Sequence, residues 1–129
     1  MSRQEFVADA WAVIALLTGE AFSKFDPEHL VGAWISAVNL SGVLTKLCSA
    51  GHADDEADAA INALDLQIAP FDQAQARATA RLWRKTKSAR LSLTDRACLA
   101  LGRHLGARVI TADRARGRVD VGAEIVLIH

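Results

Sequence analysis

The residues with the clearest capacity for chemistry are three aspartates. Asp9 follows the apolar run Phe6-Val7-Ala8, and Asp113 follows Val109-Ile110-Thr111-Ala112. Asp95 stands three residues after Ser92, at the start of an apolar-periodic segment. Brought together, three carboxylates repel one another unless a cation sits among them. A hard, oxygen-seeking ion such as Mg²⁺ or Mn²⁺ suits such a cluster and keeps several of its waters. Each acid also has a plainer role. Ser92-Leu93-Thr94-Asp95 is a capping-box pattern, and Asp9 and Asp113 can each cap the helix or turn that follows. Spacing along the chain does not decide between these roles, because the ligands meet only in three dimensions.

The elements that must position the acids alternate. Phe6–Ala8, Trp34–Ser36, Leu66–Ala69, Val109–Thr111 and Glu124–Ile128 read as short apolar strands. Between them, Ala10–Leu17 reads as a helix stopped at Gly19, and Asp26-Pro27 as an N-cap followed by proline at the first helical position. Val38–Cys48 carries an apolar stripe at helical period through Leu40, Val43, Leu44 and Leu47. Asp54–Leu64 has acids in its first turn, where the helix dipole favours them. Asp72 can cap a helix from Gln73 to about Lys87, and Ser92 opens another that runs to about Leu105 and ends at Gly106. Ser49–Ala53 and Ala115–Val119 read as loops. This alternation predicts an α/β fold, a mainly parallel sheet with helices on both faces. Ligands of such a sheet collect beyond the C-terminal ends of its strands, where Asp9 and Asp113 stand.

A chain of 129 residues suits one domain spanning 1–129, and 51% hydrophobic residues exclude general disorder. The uncharged stretch Ala10–Gly19 is too short to span a bilayer and lacks a basic lead-in, so no membrane segment is expected. Cys48 and Cys98 lie fifty positions apart with no C-x-x-C, which argues against a disulfide scaffold and fits a reducing cytoplasm. His29, His52, His104 and His129 show no zinc-ligand spacing, no serine lies in G-x-S-x-G, and the glycines form no phosphate loop. With no Tyr and 5% aromatics, an aromatic RNA-stacking platform is not expected. A phosphoacceptor receiver would need a lysine at a late strand end, and none follows Lys87.

Charge is balanced in total and lopsided in place. Residues 1–76 hold three basic and eleven acidic groups, a net −8. Residues 77–118 hold twelve basic and two acidic groups, a net +10, and those two acids are Asp95 and Asp113. Within the basic segment Arg77, Arg81, Arg84 and Lys85 recur at spacings near one helical turn. They are either a solvated helix face or a track for RNA phosphates whose affinity falls with salt.

Several blocks together resemble the PIN-domain ribonucleases, and more closely the VapC-type toxins of bacterial toxin–antitoxin pairs. They are Phe6-Val7-Ala8-Asp9-Ala10, the run from Ile35 to Leu47, Pro70-Phe71-Asp72, the run from Leu91 to Leu101, and Val109-Ile110-Thr111-Ala112-Asp113-Arg114. The resemblance implies a three-layer α/β/α fold around a central, mainly parallel five-stranded sheet. It implies Asp9, Asp95 and Asp113 as metal ligands, with Asn39 and Thr111 lining the site. It further implies Mg²⁺- or Mn²⁺-dependent cleavage of a tRNA or ribosomal RNA loop by water attacking in line, leaving a 5′-phosphate. Dimerisation and inhibition by an antitoxin belong to the same expectation; the apolar helices, with Trp11, Trp34 and Trp83, leave surface for either, and the sequence does not say which tryptophan is exposed.

One departure stands out. The family usually has a fourth acid, a glutamate, where this chain has Gly42. A glycine within a helix costs about 1 kcal/mol relative to alanine, and one negative charge fewer weakens a cluster's hold on a cation. The expectation is an attenuated or inactive nuclease. The alternative is a module that keeps the acidic site for binding without turnover.

Overall fold

The computed structural model describes residues 5–113 and 119–129. Five strands among these residues form one sheet: β1 (Phe6–Ala8), β2 (Trp34–Ser36), β3 (Gln67–Ala69), β4 (Arg108–Thr111) and β5 (Ile125–Leu127). Their order is β3-β2-β1-β4-β5 and every neighbouring pair is parallel. The chain leaves β1 in one direction to lay down β2 and β3, then returns to the other side of β1 for β4 and β5. The reversal makes the C-terminal ends of β1 and β4 the switch point of the sheet, the place where open α/β sheets bind ligands.

Among the described residues, six helices connect and cover the sheet: α1 (Ala10–Leu17), α2 (Ala37–Ser49), α3 (Asp54–Asn62), α4 (Gln73–Arg81), α5 (Trp83–Thr86) and α6 (Leu93–Leu105). Alternation along each strand sends successive side chains to opposite faces. Ala8, Ile35 and Ile110 pack with Val13 of α1, Val43 and Leu47 of α2 and Ile61 of α3. Val7 and Val109 pack on the other side with Leu82 and with Cys98, Leu99 and Leu101 of α6. The result is the expected three-layer α/β/α arrangement. Burial on both faces is why these strands are continuously apolar.

Local chemistry sets the element ends. Asp9, Ser36, Asp72 and Ser92 each accept a backbone N–H of the helix they start, and Asp26 does the same for the 3-10 turn Pro27–Leu30. Gly106 closes α6 in the left-handed conformation, φ 62°. Gly102 has a different duty. A Cβ there would collide with the Val109 side chain, so its absence lets α6 lie directly on β4. The loop expected over residues 115–119 falls, apart from Val119, outside the described residues.

The single helix expected from Gln73 to about Lys87 is a misreading. It is two helices, α4 and α5, followed by a 3-10 turn at Lys87–Ala89. The reason lies at Leu82, which is buried on the sheet side. Its N–H bonds back to Thr79 O at 3.2 Å rather than a residue earlier, a 3-10 tightening that ends α4. The Thr86 hydroxyl then takes the Leu82 carbonyl at 2.8 Å.

Thr79 itself is buried, yet its Oγ1 has no hydrogen-bond partner among the described residues. Burying an unpaired hydroxyl costs about 1–3 kcal/mol. Thr79→Val keeps the shape and removes the polar atom. It is expected to stabilise the protein by about 1 kcal/mol, read as a higher urea midpoint at unchanged slope; a lower midpoint would show that the hydroxyl is paired in solution.

Candidate active site

The C-terminal ends of β1 and β4 carry Asp9 and Thr111, with Asp113 two residues beyond. The ladder between the two strands continues past β1, since Asp9 N–H donates to Ile110 O at 3.0 Å. This brings Asp9 beside Thr111. The Thr111 hydroxyl donates to Asp9 Oδ2 and accepts the Asp113 N–H at 3.0 Å. One buried hydroxyl, with Thr111 itself 0% exposed, thus links the two strand-end acids. Asp9 is 1% exposed. A buried carboxylate is tolerable only when hydrogen-bonded, and its other oxygen, Oδ1, accepts the Ala12 N–H at 2.7 Å. The capping role is therefore real, and it coexists with the strand-end position.

Asp95 sits at the third position of α6. Its Oδ2 accepts the Ser92 N–H at 2.9 Å while its own N–H donates to Ser92 Oγ at 3.2 Å, a complete capping box. Asn39 connects this turn to the rest of the site. From the first turn of α2 its Oδ1 accepts Ala10 N–H at 3.2 Å and its Nδ2 donates to Thr94 O at 3.0 Å. Asn39 is buried. It therefore fixes the residue after Asp9 against the residue before Asp95.

Gly42 lies three residues further along α2, on the face shared with Asn39. A Cβ at this position would meet only Ala10 Cβ, at an ordinary 3.8 Å. The position borders an open cleft of about 500 Å³ lined also by Val38, Ser41, Phe71 and Thr94. Packing does not demand glycine here.

Carboxylate, hydroxyl and amide oxygens are the donors that hard divalent cations take, and each carboxylate has lone pairs beyond the bonds it accepts. The donor set fits such an ion chemically. Among the described residues, however, no three His, Cys, Asp or Glu side chains stand close enough to hold one ion together.

The basic residues lie apart from this edge in sequence and on two elements. Arg77 and Arg81 are on α4 and Arg84 and Lys85 on α5, all exposed. Sequence reasoning passed over Arg96, although it directly follows Asp95. Its guanidinium Nη1 donates to Thr79 O at 3.1 Å, joining α6 to the end of α4. Of the tryptophans, Trp11 and Trp83 are about half exposed, at 46% and 52%. Lysines lie over both rings, Lys46 Nζ at 5.9 Å and Lys87 Nζ at 5.4 Å. Exposed Cys48 donates its thiol to Asp54 Oδ1 at 3.3 Å, a bond that raises its pKa.

The sequence model of the PIN domain matches residues 6–122. No curated protein matches by sequence. Among solved structures, the DNA-bound VapBC complex of Salmonella typhimurium is similar over 98% of this chain and 100% of that one, at 14% identity and a TM-score of 0.75. VapBC2 of Rickettsia felis, bound to a DNA fragment from its promoter, covers 96% and 98% at 10% identity and a TM-score of 0.72. VapC20 of Mycobacterium tuberculosis, described as a sarcin–ricin loop cleaving toxin, covers 93% and 99% at 15% identity and a TM-score of 0.67.

Proposed function

The chain belongs to the PIN-domain family, and on that footing we propose that it is a VapC-type toxin. In this reading it is a Mg²⁺- or Mn²⁺-dependent endoribonuclease for structured RNA, a tRNA or a ribosomal RNA loop, and a cognate antitoxin neutralises it. It acts in the cytoplasm as a homodimer, and its activity is attenuated by Gly42. The observation that carries the reading is the Thr111 hydroxyl, which joins Asp9 to the Asp113 backbone at the switch point of the sheet. The likeness to VapBC complexes and to a sarcin–ricin loop cleaving toxin supports it further.

Asp9, Asp95 and Asp113 are the residues that would hold the ion. Once bound, a divalent cation lowers the pKa of a coordinated water and neutralises charge developing on the scissile phosphate. The chain's own groups orient and support. Thr111 donates to Asp9 and so fixes the orientation of that carboxylate. Asn39 holds the first turns of α1 and α6 at a fixed separation. Arg77, Arg81, Arg84 and Lys85 attract the phosphate backbone, and half-exposed Trp11 and Trp83 offer apolar surface to the antitoxin or a second copy.

The test is cleavage of tRNA and of a ribosomal loop hairpin in Mn²⁺ and in EDTA. Slow cutting in Mn²⁺ that stops in EDTA is expected; equal cutting in both contradicts the proposal. Arg81→Ala with Arg84→Ala is expected to weaken RNA binding about tenfold and to lower the slope of log affinity against log salt by about two. An unchanged slope would mark that surface as merely solvated. A second reading, a module that binds ion or antitoxin without turnover, is favoured by Gly42, which stands where the family usually has an acid. Mn²⁺ binding without cutting in either buffer selects it.

A further inference from the structure

The break at Leu82 gives Arg96 a task beyond packing. The Thr79 carbonyl accepts two donors, the Leu82 N–H that ends α4 and Arg96 Nη1 from α6. Leu82 and Thr86 are buried and joined by the Thr86 hydroxyl. Arg81 immediately precedes this anchored joint, and Arg84 and Lys85 follow it within three residues. Arg96 is the next residue after Asp95 and two after Thr94, which Asn39 ties to Ala10. A single side chain therefore connects the turn carrying an acid to the joint carrying the basic residues.

Burial strengthens the case. Arg96 Nε is buried with no partner among the described residues, as is Thr79 Oγ1 beside the carbonyl that Arg96 grips. A guanidinium has five donors in a fixed fork, and leaving a buried one unpaired is unfavourable. A methionine would fill much the same space without that penalty. The feature an arginine adds here is the directed bond to Thr79 O.

We propose that Arg96 is a positioning residue for RNA, holding the α4–α5 joint so that Arg81, Arg84 and Lys85 present their charges in register with the acid-bearing turn of α6. The inference rests on the RNA-track reading of those basic residues. It assigns Arg96 no contact with RNA.

The experiment measures binding of an RNA hairpin in EDTA, which separates binding from cleavage, over a series of salt concentrations. Arg96→Met is expected to weaken binding about fivefold and lower the salt slope by about one, with a melting temperature at or above the parent's. Arg96→Lys, which restores a donor, should recover most of the affinity. In the Arg81→Ala, Arg84→Ala background, Arg96→Met should have little further effect. Thr79→Val, which keeps the carbonyl, should bind as the parent does. Where Arg96→Met does not fold, Arg96→Gln takes its place, its amide offering a donor on a shorter stem and an intermediate affinity. Unchanged binding by Arg96→Met, with weakened binding by the Arg81, Arg84 pair, overturns the positioning role and leaves the track intact. A full additional loss in the double background means Arg96 touches RNA itself and also overturns it. Unchanged binding by the Arg81, Arg84 pair removes the track and the inference together.

Discussion

Gly42→Glu is expected to raise Mn²⁺-dependent RNA cleavage by roughly 10- to 100-fold, the range by which groups supporting a metal site commonly change affinity or activity. The side chain has room, because a Cβ there meets only Ala10 at 3.8 Å and the adjoining cleft is open. Its location is apt, since Ala10 follows Asp9 and Asn39 on the same helical face already contacts that turn. Added negative charge should also tighten ion binding. Two effects must be separated, because replacing a mid-helix glycine stabilises the helix by about 1 kcal/mol regardless of charge. Gly42→Ala provides the separation. It should melt higher than the parent and cut RNA no faster. Equal rates for the alanine and glutamate variants would show that the missing carboxylate is not what limits this protein.

The second large effect is at Asp9. Asp9→Ala removes the N-cap of α1 and leaves the Ala12 N–H and the buried Thr111 hydroxyl without their carboxylate. The expected loss is about 2–4 kcal/mol, a fall in melting temperature of about 10 °C for a domain of this size. Asp9→Asn still caps α1 through its carbonyl oxygen, but its amide puts a donor where Oδ2 accepted the Thr111 hydroxyl, so that hydroxyl loses its acceptor. It should cost about 1–2 kcal/mol, less than the alanine variant, yet bind no Mn²⁺ and cut no RNA. Calorimetry and thermal melts on both variants check this. A retained Mn²⁺ affinity in Asp9→Asn would reduce Asp9 to a helix cap.

The strands, the helix starts and the α/β class were legible because each rests on local chemistry. Asp9, Asp72 and Ser92 are short polar acceptors directly before runs of helix-forming residues, and Gly106 marks a left-handed end. The break at Leu82 was not legible. Period alone runs through it, and the helix ends because Leu82 packs into a core formed by α6 and β4, far away in sequence. Arg96 was missed for the same reason, as nothing near it in the chain reveals that Thr79 O lies within reach. At the site, the capping pattern of Asp95 and the strand-end position of Asp9 were both readable, and both roles hold together. The relay through Thr111 was readable only as a resemblance, since a link across 102 residues leaves no local trace.

The most direct measurement is a crystal structure of the protein soaked in Mn²⁺, with anomalous scattering used to locate the ion. One or two manganese peaks are expected at the C-terminal ends of β1 and β4, coordinated by oxygens of Asp9, Asp95 and Asp113. Crystals that take up manganese elsewhere, or none at this edge, would contradict that expectation.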